Sequence, residues 1–125
     1  MKQQLKQVKD FHKAFGAVVN DSPNLDTKET QDLREKLMME ELKEIMESVR
    51  SGDKVNTLKE LSDALYVLLG SVVSFGYTDV FEEAFTRVHE ANMSKLDKDG
   101  KVIMREDGKV LKSDQYRPAD LSDLV

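Results

Sequence analysis

Residues 26–76 decide the fold, and they read DTKETQDLREKLMMEELKEIMESVRSGDKVNTLKELSDALYVLLGSVVSFG. Apolar residues recur at intervals of three and four on both sides of Gly52, which is the pattern of two amphipathic helices joined by a short turn. The two helices are predicted over about 26–51 and 56–76. Because the connection is so short, the pattern predicts that they pack as an antiparallel pair.

The ends of these two helices carry recognisable capping residues. Either Asp26 or Thr27 can cap the first helix. Gly52 ends it, because glycine is the usual residue just past a helix terminus. Thr57 followed by Glu60 fits a capping box at the start of the second helix.

The flanking sequence predicts two further helices and a small appendage. One helix is predicted over about 2–19, ended by the turn-forming loop 20–24, and another over about 78–96. Between 102 and 111, two short apolar runs flank Asp107-Gly108, which indicates a hairpin. The predicted fold is all-α, a four-helix bundle with a short C-terminal β-hairpin and a polar tail over 113–125.

Length and composition restrict the class of protein. The 125 residues predict a single domain over 1–125, with a helical core over about 2–96 and a hairpin and tail over 97–125. The 24 acidic and 19 basic residues give a net charge of −5, which argues against nucleic-acid binding through a broad basic face. The absence of cysteine excludes a disulfide framework and fits a cytoplasmic protein. No apolar run has the ~18 residues of a membrane span.

The helix over about 56–76 is apolar on every side between Ala64 and Val73. Such a helix is either central in its own fold or buried against another subunit. In a chain of this size a second copy is the simpler way to cover it. We therefore expect a homodimer, with a tetramer as the alternative.

Four carboxylates form two pairs with helical spacing. Glu41 and Glu44 lie on one helix of the antiparallel pair, and Glu60 and Asp63 lie on the other. Residues three apart share a helix face, and both pairs border positions expected to face the interior. Four partly buried carboxylates repel one another, and a divalent cation relieves that repulsion. Ligands that are all oxygens favour Mg²⁺ or Mn²⁺.

The alternative is that these acids form solvated helix faces. Lys36, Lys43 and Lys59 are spaced to pair with them on the surface. Arg34 lies two turns before Glu41 on the same side of its helix. Three roles are open to Arg34: it pairs with the acidic cluster, it reaches a phosphate of a ligand, or it forms an ordinary ion pair elsewhere.

The acidic pattern resembles a known family signature. Glu40-Glu41-Leu42-Lys43-Glu44, fifteen residues, and then Glu60-Leu61-Ser62-Asp63 are similar to the EExxE…ExxD signature of the all-α nucleoside triphosphate pyrophosphatases. That superfamily includes MazG-like enzymes, dimeric dUTPases and phosphoribosyl-ATP pyrophosphohydrolases. Four further segments resemble its MazG-like, phosphoribosyl-ATP-pyrophosphohydrolase-like branch: Phe11–Gly16, Asp63–Tyr66, Ala91–Lys95, and the tail residues Gly108, Lys109, Lys112, Tyr116 and Pro118.

The resemblance implies an activity and a metal. It implies Mg²⁺-dependent hydrolysis of the bond between the α and β phosphates of a nucleoside triphosphate, which releases a nucleoside monophosphate and pyrophosphate. The expected substrate is a non-canonical or surplus (d)NTP removed from the nucleotide pool. One alternative is the phosphoribosyl-ATP pyrophosphohydrolase of histidine biosynthesis. An alternative from another class is a non-catalytic helical dimer.

The same resemblance assigns residues to roles. It implies that Glu40 orients or deprotonates the attacking water, and it implies four metal ligands: Glu41, Glu44, Glu60 and Asp63. Asn92 and Lys95 continue an apolar stripe of the fourth helix and are expected to meet the substrate. His12 is a candidate for contact with the nucleotide base. Lys112 and Tyr116 are candidate substrate contacts on the tail, which either folds over the site and closes it against water or forms a disordered polar terminus.

Overall fold

The computed structural model describes residues 1–125, which form two compact units, Met1–Asp79 and Val80–Val125. The helices are α1 (Lys2–Phe15), α2 (Lys28–Ser51), α3 (Lys54–Ser74) and α4 (Phe81–Met93). An antiparallel pair of strands follows, β1 (Ile103–Met104) and β2 (Val110–Leu111), and then a 3₁₀ turn over Ser122–Leu124. The predicted all-α class, with four helices and a C-terminal hairpin, is confirmed. The single domain over 1–125 stays a prediction.

In the first unit, α3 is the central helix. It packs against both α1 and α2, as its apolar composition predicts. The buried apolar side chains come from α1 and from the C-terminal half of α3, and they are Leu5, Val8, Leu69, Val72 and Val73. The other half of α3 meets α2 through polar side chains, so the first unit places its core at one end of α3.

The boundaries of α1 and α4 differ from the prediction. α1 ends at Phe15 rather than near residue 19, because Gly16 adopts the left-handed conformation and its amide bonds the His12 carbonyl. α4 covers 81–93 rather than 78–96. Beyond it, the amides of Lys95 and Leu96 bond carbonyls three residues back, so the chain continues as tight turns rather than as α-helix.

The turn between α2 and α3 also corrects one prediction. α2 begins after Thr27 and ends at Gly52, as predicted. α3 begins earlier than expected, because the Asp53 carboxylate accepts the Asn56 amide at 2.9 Å and so caps the helix. The predicted capping box at Thr57 is therefore wrong: that hydroxyl lies inside the helix and donates to the Asp53 carbonyl.

The loop between α1 and α2 caps the C-terminal end of α3. The Asn20 side-chain amide donates to the Ser74 carbonyl at 2.6 Å, and the Asn20 backbone amide donates to the Val73 carbonyl at 3.2 Å. The amide of Asn24 donates to the Phe75 carbonyl at 2.9 Å. These bonds satisfy carbonyl groups that a helix end leaves without partners, and they fix the loop that leads into α2.

In the second unit, the tail is tied to α4. The hairpin pairs Ile103 with Leu111 across the Asp107-Gly108 turn. Further along, Arg87 of α4 forms a two-pronged ion pair with Asp123. The Arg117 amide donates to the Ser94 hydroxyl at 2.8 Å. The polar tail thus lies along the helix of its own unit.

Apolar side chains remain exposed along one side of the α2–α3 pair. Successive residues of a helix are about 100° apart, which places these side chains on a common side of the two antiparallel helices. They are Leu42, Met46, Val49, Leu58, Leu61, Leu65 and Leu68, each at least 40 % exposed, and together we call them the apolar face. None of the four helices combines the length and the hydropathy needed to cross a membrane.

Candidate metal centre

The interface between α2 and α3 is polar at three levels. The residues that α2 contributes are Arg34, Glu41 and Ser48, which are seven residues apart and therefore share one face. Each meets polar groups of α3. Ser48 Oγ lies 3.0 Å from Thr57 Oγ1 near the turn, and Arg34 donates to α3 at the opposite end. The middle level, formed at Glu41, contains only acids.

Three carboxylates converge at this middle level. One oxygen atom from each of Glu41, Glu60 and Asp63 lies within 4.8 Å of the others, and we call this group the carboxylate cluster. Glu60 is buried, at 7 % exposure, while Glu41 and Asp63 are half-buried. Glu41 Oε2 and Glu60 Oε2 are both inaccessible and accept no hydrogen bond. Buried acceptors without donors are costly, and these two oxygens lack a partner.

The pKa shifts of the clustered acids also show a lack of positive charge. Burial raises the pKa of Glu41, and repulsion from Asp63 and Glu60 raises it further. A hydrogen bond to Glu60 raises the pKa of Glu44, and repulsion from Glu41 acts in the same direction. These carboxyl groups therefore resist carrying full negative charge together.

Lys59 supplies part of the missing positive charge. Its ammonium lies 2.8 Å from Asp63 Oδ2 and 3.3 Å from Glu60 Oε1, and these bonds raise the pKa of Lys59. The side chain is 61 % exposed, so it approaches the cluster from solvent. Pairing with a surface lysine therefore accounts for the solvent-facing oxygens of Asp63 and Glu60. The buried oxygens of Glu41 and Glu60 remain without a donor.

The donor set fits a hard divalent cation. The cluster offers only carboxylate oxygens, which suit Mg²⁺ or Mn²⁺. A cation there would satisfy the two buried oxygens that no hydrogen bond reaches. Glu44, the fourth predicted ligand, is exposed on α2 and is not among the three acids whose oxygens converge. Glu40 is exposed beside Glu41, and its charge also raises the pKa of Glu41.

The predicted base-contacting residue, His12, lies in the interior of the first unit. It is 3 % exposed, and its Nδ1 lies 3.0 Å from the Val18 carbonyl. Because a carbonyl only accepts, Nδ1 carries the proton and Nε2 has a free lone pair. Burial lowers the pKa of His12. The hydrogen bond to Val18 acts in the opposite direction, and the positive charge of Arg34 lowers the pKa further. The lowered pKa favours the neutral imidazole, and the ring already has a structural partner. Its contact with substrate stays a prediction.

The other four predicted substrate residues belong to the second unit. Asn92 is exposed near the end of α4, and Lys95 is half-buried in the turn that follows. Lys112 places its ammonium 4.7 Å from the centre of the Tyr116 ring, a cation–π contact that orders this part of the tail. Their roles in substrate binding stay predictions.

Sequence reasoning missed the use that the fold makes of Arg34. Rather than joining an ion pair, its guanidinium is buried and donates to Ser71 Oγ at 3.1 Å and to the Val67 carbonyl at 2.6 Å. The signal was present as polar residues at Arg34, Glu41 and Ser48, whose seven-residue spacing marks one continuous face. That face, rather than the apolar stripe beside it, turned out to face α3.

The comparison with protein families decides where the chain belongs. The sequence profile of the phosphoribosyl-ATP pyrophosphohydrolase family matches residues 8–92, which include the whole carboxylate cluster. The chain belongs to that family. No curated protein matches the sequence. The match confirms the resemblance to the all-α nucleoside triphosphate pyrophosphatases, and phosphoribosyl-ATP pyrophosphohydrolase members are hydrolases that act on phosphoric anhydrides.

Repulsion among the negative charges of the carboxylate cluster predicts that removing one acid stabilises the metal-free protein. The folded-state pKa of Glu41 is raised, so its contribution to stability is complete below about pH 4.3 and is lost as the pH rises. In EDTA, Glu41→Gln should match the wild type at acidic pH and melt a few degrees higher at neutral pH. Excess Mg²⁺ should reverse the order, because only the wild type keeps its ligands.

Glu47→Gln is the matched control for this measurement. Glu47 lies on the same helix but is exposed and pairs only with Lys43, at 3.9 Å. Its melting temperature should follow the wild type across pH and Mg²⁺. A Glu41→Gln variant that is less stable than the wild type in EDTA at neutral pH would contradict the predicted repulsion.

Proposed function

We propose that the protein is a Mg²⁺-dependent nucleoside triphosphate pyrophosphohydrolase. It cleaves between the α and β phosphates of a non-canonical or surplus (d)NTP and releases a nucleoside monophosphate and pyrophosphate. The single observation that carries the proposal is the buried carboxylate cluster with two oxygens that lack any donor. Family membership supports the hydrolysis of a phosphoric anhydride.

The chain's residues divide the work between metal binding and water activation. Glu41, Glu60 and Asp63 hold the cation, with Glu44 as a fourth ligand on the exposed side. A cation held by these residues would neutralise charge on the triphosphate and would make an attacking water more acidic. Glu40, next to Glu41 and open to solvent, orients the attacking water or accepts its proton.

Phosphoribosyl-ATP is the second candidate substrate. It is favoured by the family profile that matches residues 8–92, whose name describes that reaction. The same cluster would serve both substrates, because both contain an anhydride between the α and β phosphates. The two substrates differ at the base: the base of phosphoribosyl-ATP carries an added sugar phosphate.

Pyrophosphate release tests the function and the choice of substrate together. With Mg²⁺, one of a panel of dNTPs and NTPs should yield pyrophosphate and monophosphate faster than phosphoribosyl-ATP does. EDTA, Glu41→Gln or Asp63→Asn should each reduce the rate by about 100-fold or more, because each removes the metal or a ligand. Glu47→Gln should keep the wild-type rate.

Three results separate the alternatives. Faster cleavage of phosphoribosyl-ATP would move the assignment to the second candidate. Release of orthophosphate and a diphosphate would contradict cleavage at the α–β bond. No hydrolysis of any of these substrates would favour a non-catalytic helical dimer.

We propose that the enzyme is a cytoplasmic homodimer that pairs through the apolar face. Exposed apolar patches of this extent on soluble proteins mark interaction surfaces. Val49, Leu58 and Leu61 line a pocket of about 410 Å³ within this face, and its lining is mostly apolar. On the helical wheel, Glu40, Glu44 and Asp63 lie on the other side of the α2–α3 pair, so pairing there leaves the acids accessible.

Sedimentation velocity tests the dimer with two matched variants. Leu68→Glu places a charge in the apolar face and should convert the dimer to a monomer at micromolar concentration. Leu33→Glu changes a leucine of similar exposure on the opposite side of α2 and should leave the dimer intact. A monomeric wild-type protein, or a dimer that survives Leu68→Glu, would contradict this interface.

A further inference from the structure

Arg34 is a buried cation that the proposed reaction does not use. Its side chain is 6 % exposed, and none of the ion pairs includes it. Nε donates to Ser71 Oγ at 3.1 Å, and Nη2 donates to the Val67 carbonyl at 2.6 Å. Both acceptors are neutral and lie on α3. Because burying an uncompensated charge is costly, a residue of this kind needs a reason other than stability.

The sequence of α3 reserves space for this guanidinium. Gly70 lies within the helix, where glycine is a weak helix former. A Cβ at Gly70 would overlap Arg34 Nη2 and would come within 3.0 Å of His12 Nε2. The glycine therefore lets α3 approach the planar group closely. Gly70, Ser71 and Val67 together form a socket for Arg34, and we call these three residues the Arg34 socket.

The socket lies at the end of the α2–α3 pair away from the Gly52 turn, where the loop over 20–24 also bonds the end of α3. Glu41 follows Arg34 by two helical turns, and Asp63 precedes Val67 by about one turn. The carboxylate cluster between the two outer levels repels itself and tends to separate the helices. On one side of it the turn at Gly52 joins the helices covalently. On the other side, Arg34 donates from within α2 directly to two acceptors within α3.

We propose that Arg34 is a positioning residue that sets the distance between Glu41 on α2 and its partners Glu60 and Asp63 on α3. Its planar fork donates in two fixed directions at once, so it fixes both the separation and the register of the two helices. Lysine has one donor centre and cannot hold both acceptors in the same geometry. The inference rests on the proposed function, because it concerns the affinity of the proposed metal site.

Titration with Mn²⁺ alone, without nucleotide, tests the inference on the full chain. Free Mn²⁺ is followed by its electron paramagnetic resonance signal, and the melting temperature of each variant is measured in EDTA. Arg34→Lys keeps the charge but loses the fork. Gly70→Ala displaces the guanidinium by filling the socket, while the better helix former offsets the loss of stability. Both should weaken the dissociation constant for Mn²⁺ by about 10-fold or more, as loss of supporting contacts around a metal site does.

Val8→Ala is the control for destabilisation. Val8 is a buried residue of α1, a helix that carries none of the three acids, and its truncation lowers the melting temperature through a cavity. Val8→Ala should bind Mn²⁺ with the wild-type affinity. If Arg34 had a purely structural role, Arg34→Lys and Gly70→Ala would also bind Mn²⁺ with that affinity. Wild-type affinity in both Arg34→Lys and Gly70→Ala would overturn the inference alone. A wild-type protein that binds no Mn²⁺ would overturn the proposed metal site and the inference with it.

Discussion

Repulsion among carboxylates inside a helix pair is the constraint around which the first unit is organised. Glu41, Glu60 and Asp63 bring three acidic oxygens within 4.8 Å, and Lys59 reaches only the outer part of the group. Apolar packing cannot satisfy the buried oxygens. The repulsion lowers the stability of the metal-free first unit, and a cation bound at the cluster would restore it.

The rest of the first unit holds this group in place. α1 and the C-terminal half of α3 supply the apolar core, and the Asn20 loop fixes the end of α3. The polar levels at Arg34 and Ser48 lie two turns on either side of the acids. The division between an apolar end and a polar interface explains how one small unit remains folded around an internal charge.

Much of this arrangement could be predicted from the sequence. Helical periodicity located all four helices, and the glycine and aspartate of the Asp107-Gly108 turn located the hairpin. The spacing of the acids placed three of the four predicted ligands together. Capping was harder, because Asp53 and Thr57 both fit a helix start, and only the actual path of the turn selects Asp53.

Two features could not be read from local patterns. In an amphipathic helix the apolar residues, here including Leu42 and Val49, normally face inward. Both side chains are instead about half exposed, since the polar face of α2 turns toward α3. The environment of His12 is set by Val18, in the loop beyond the end of α1, and by Arg34 on α2. Periodicity gives the faces of a helix but not the neighbour that each face meets.

The location of a bound ion tests the account most directly. Crystals grown with Mn²⁺ should show an anomalous-scattering peak between α2 and α3, about 2.1 Å from oxygens of Glu41, Glu60 and Asp63. The two buried oxygens that lack donors should be among its ligands. A structure at saturating Mn²⁺ with no peak at this position, and with Lys59 still bonded to Asp63, would contradict it.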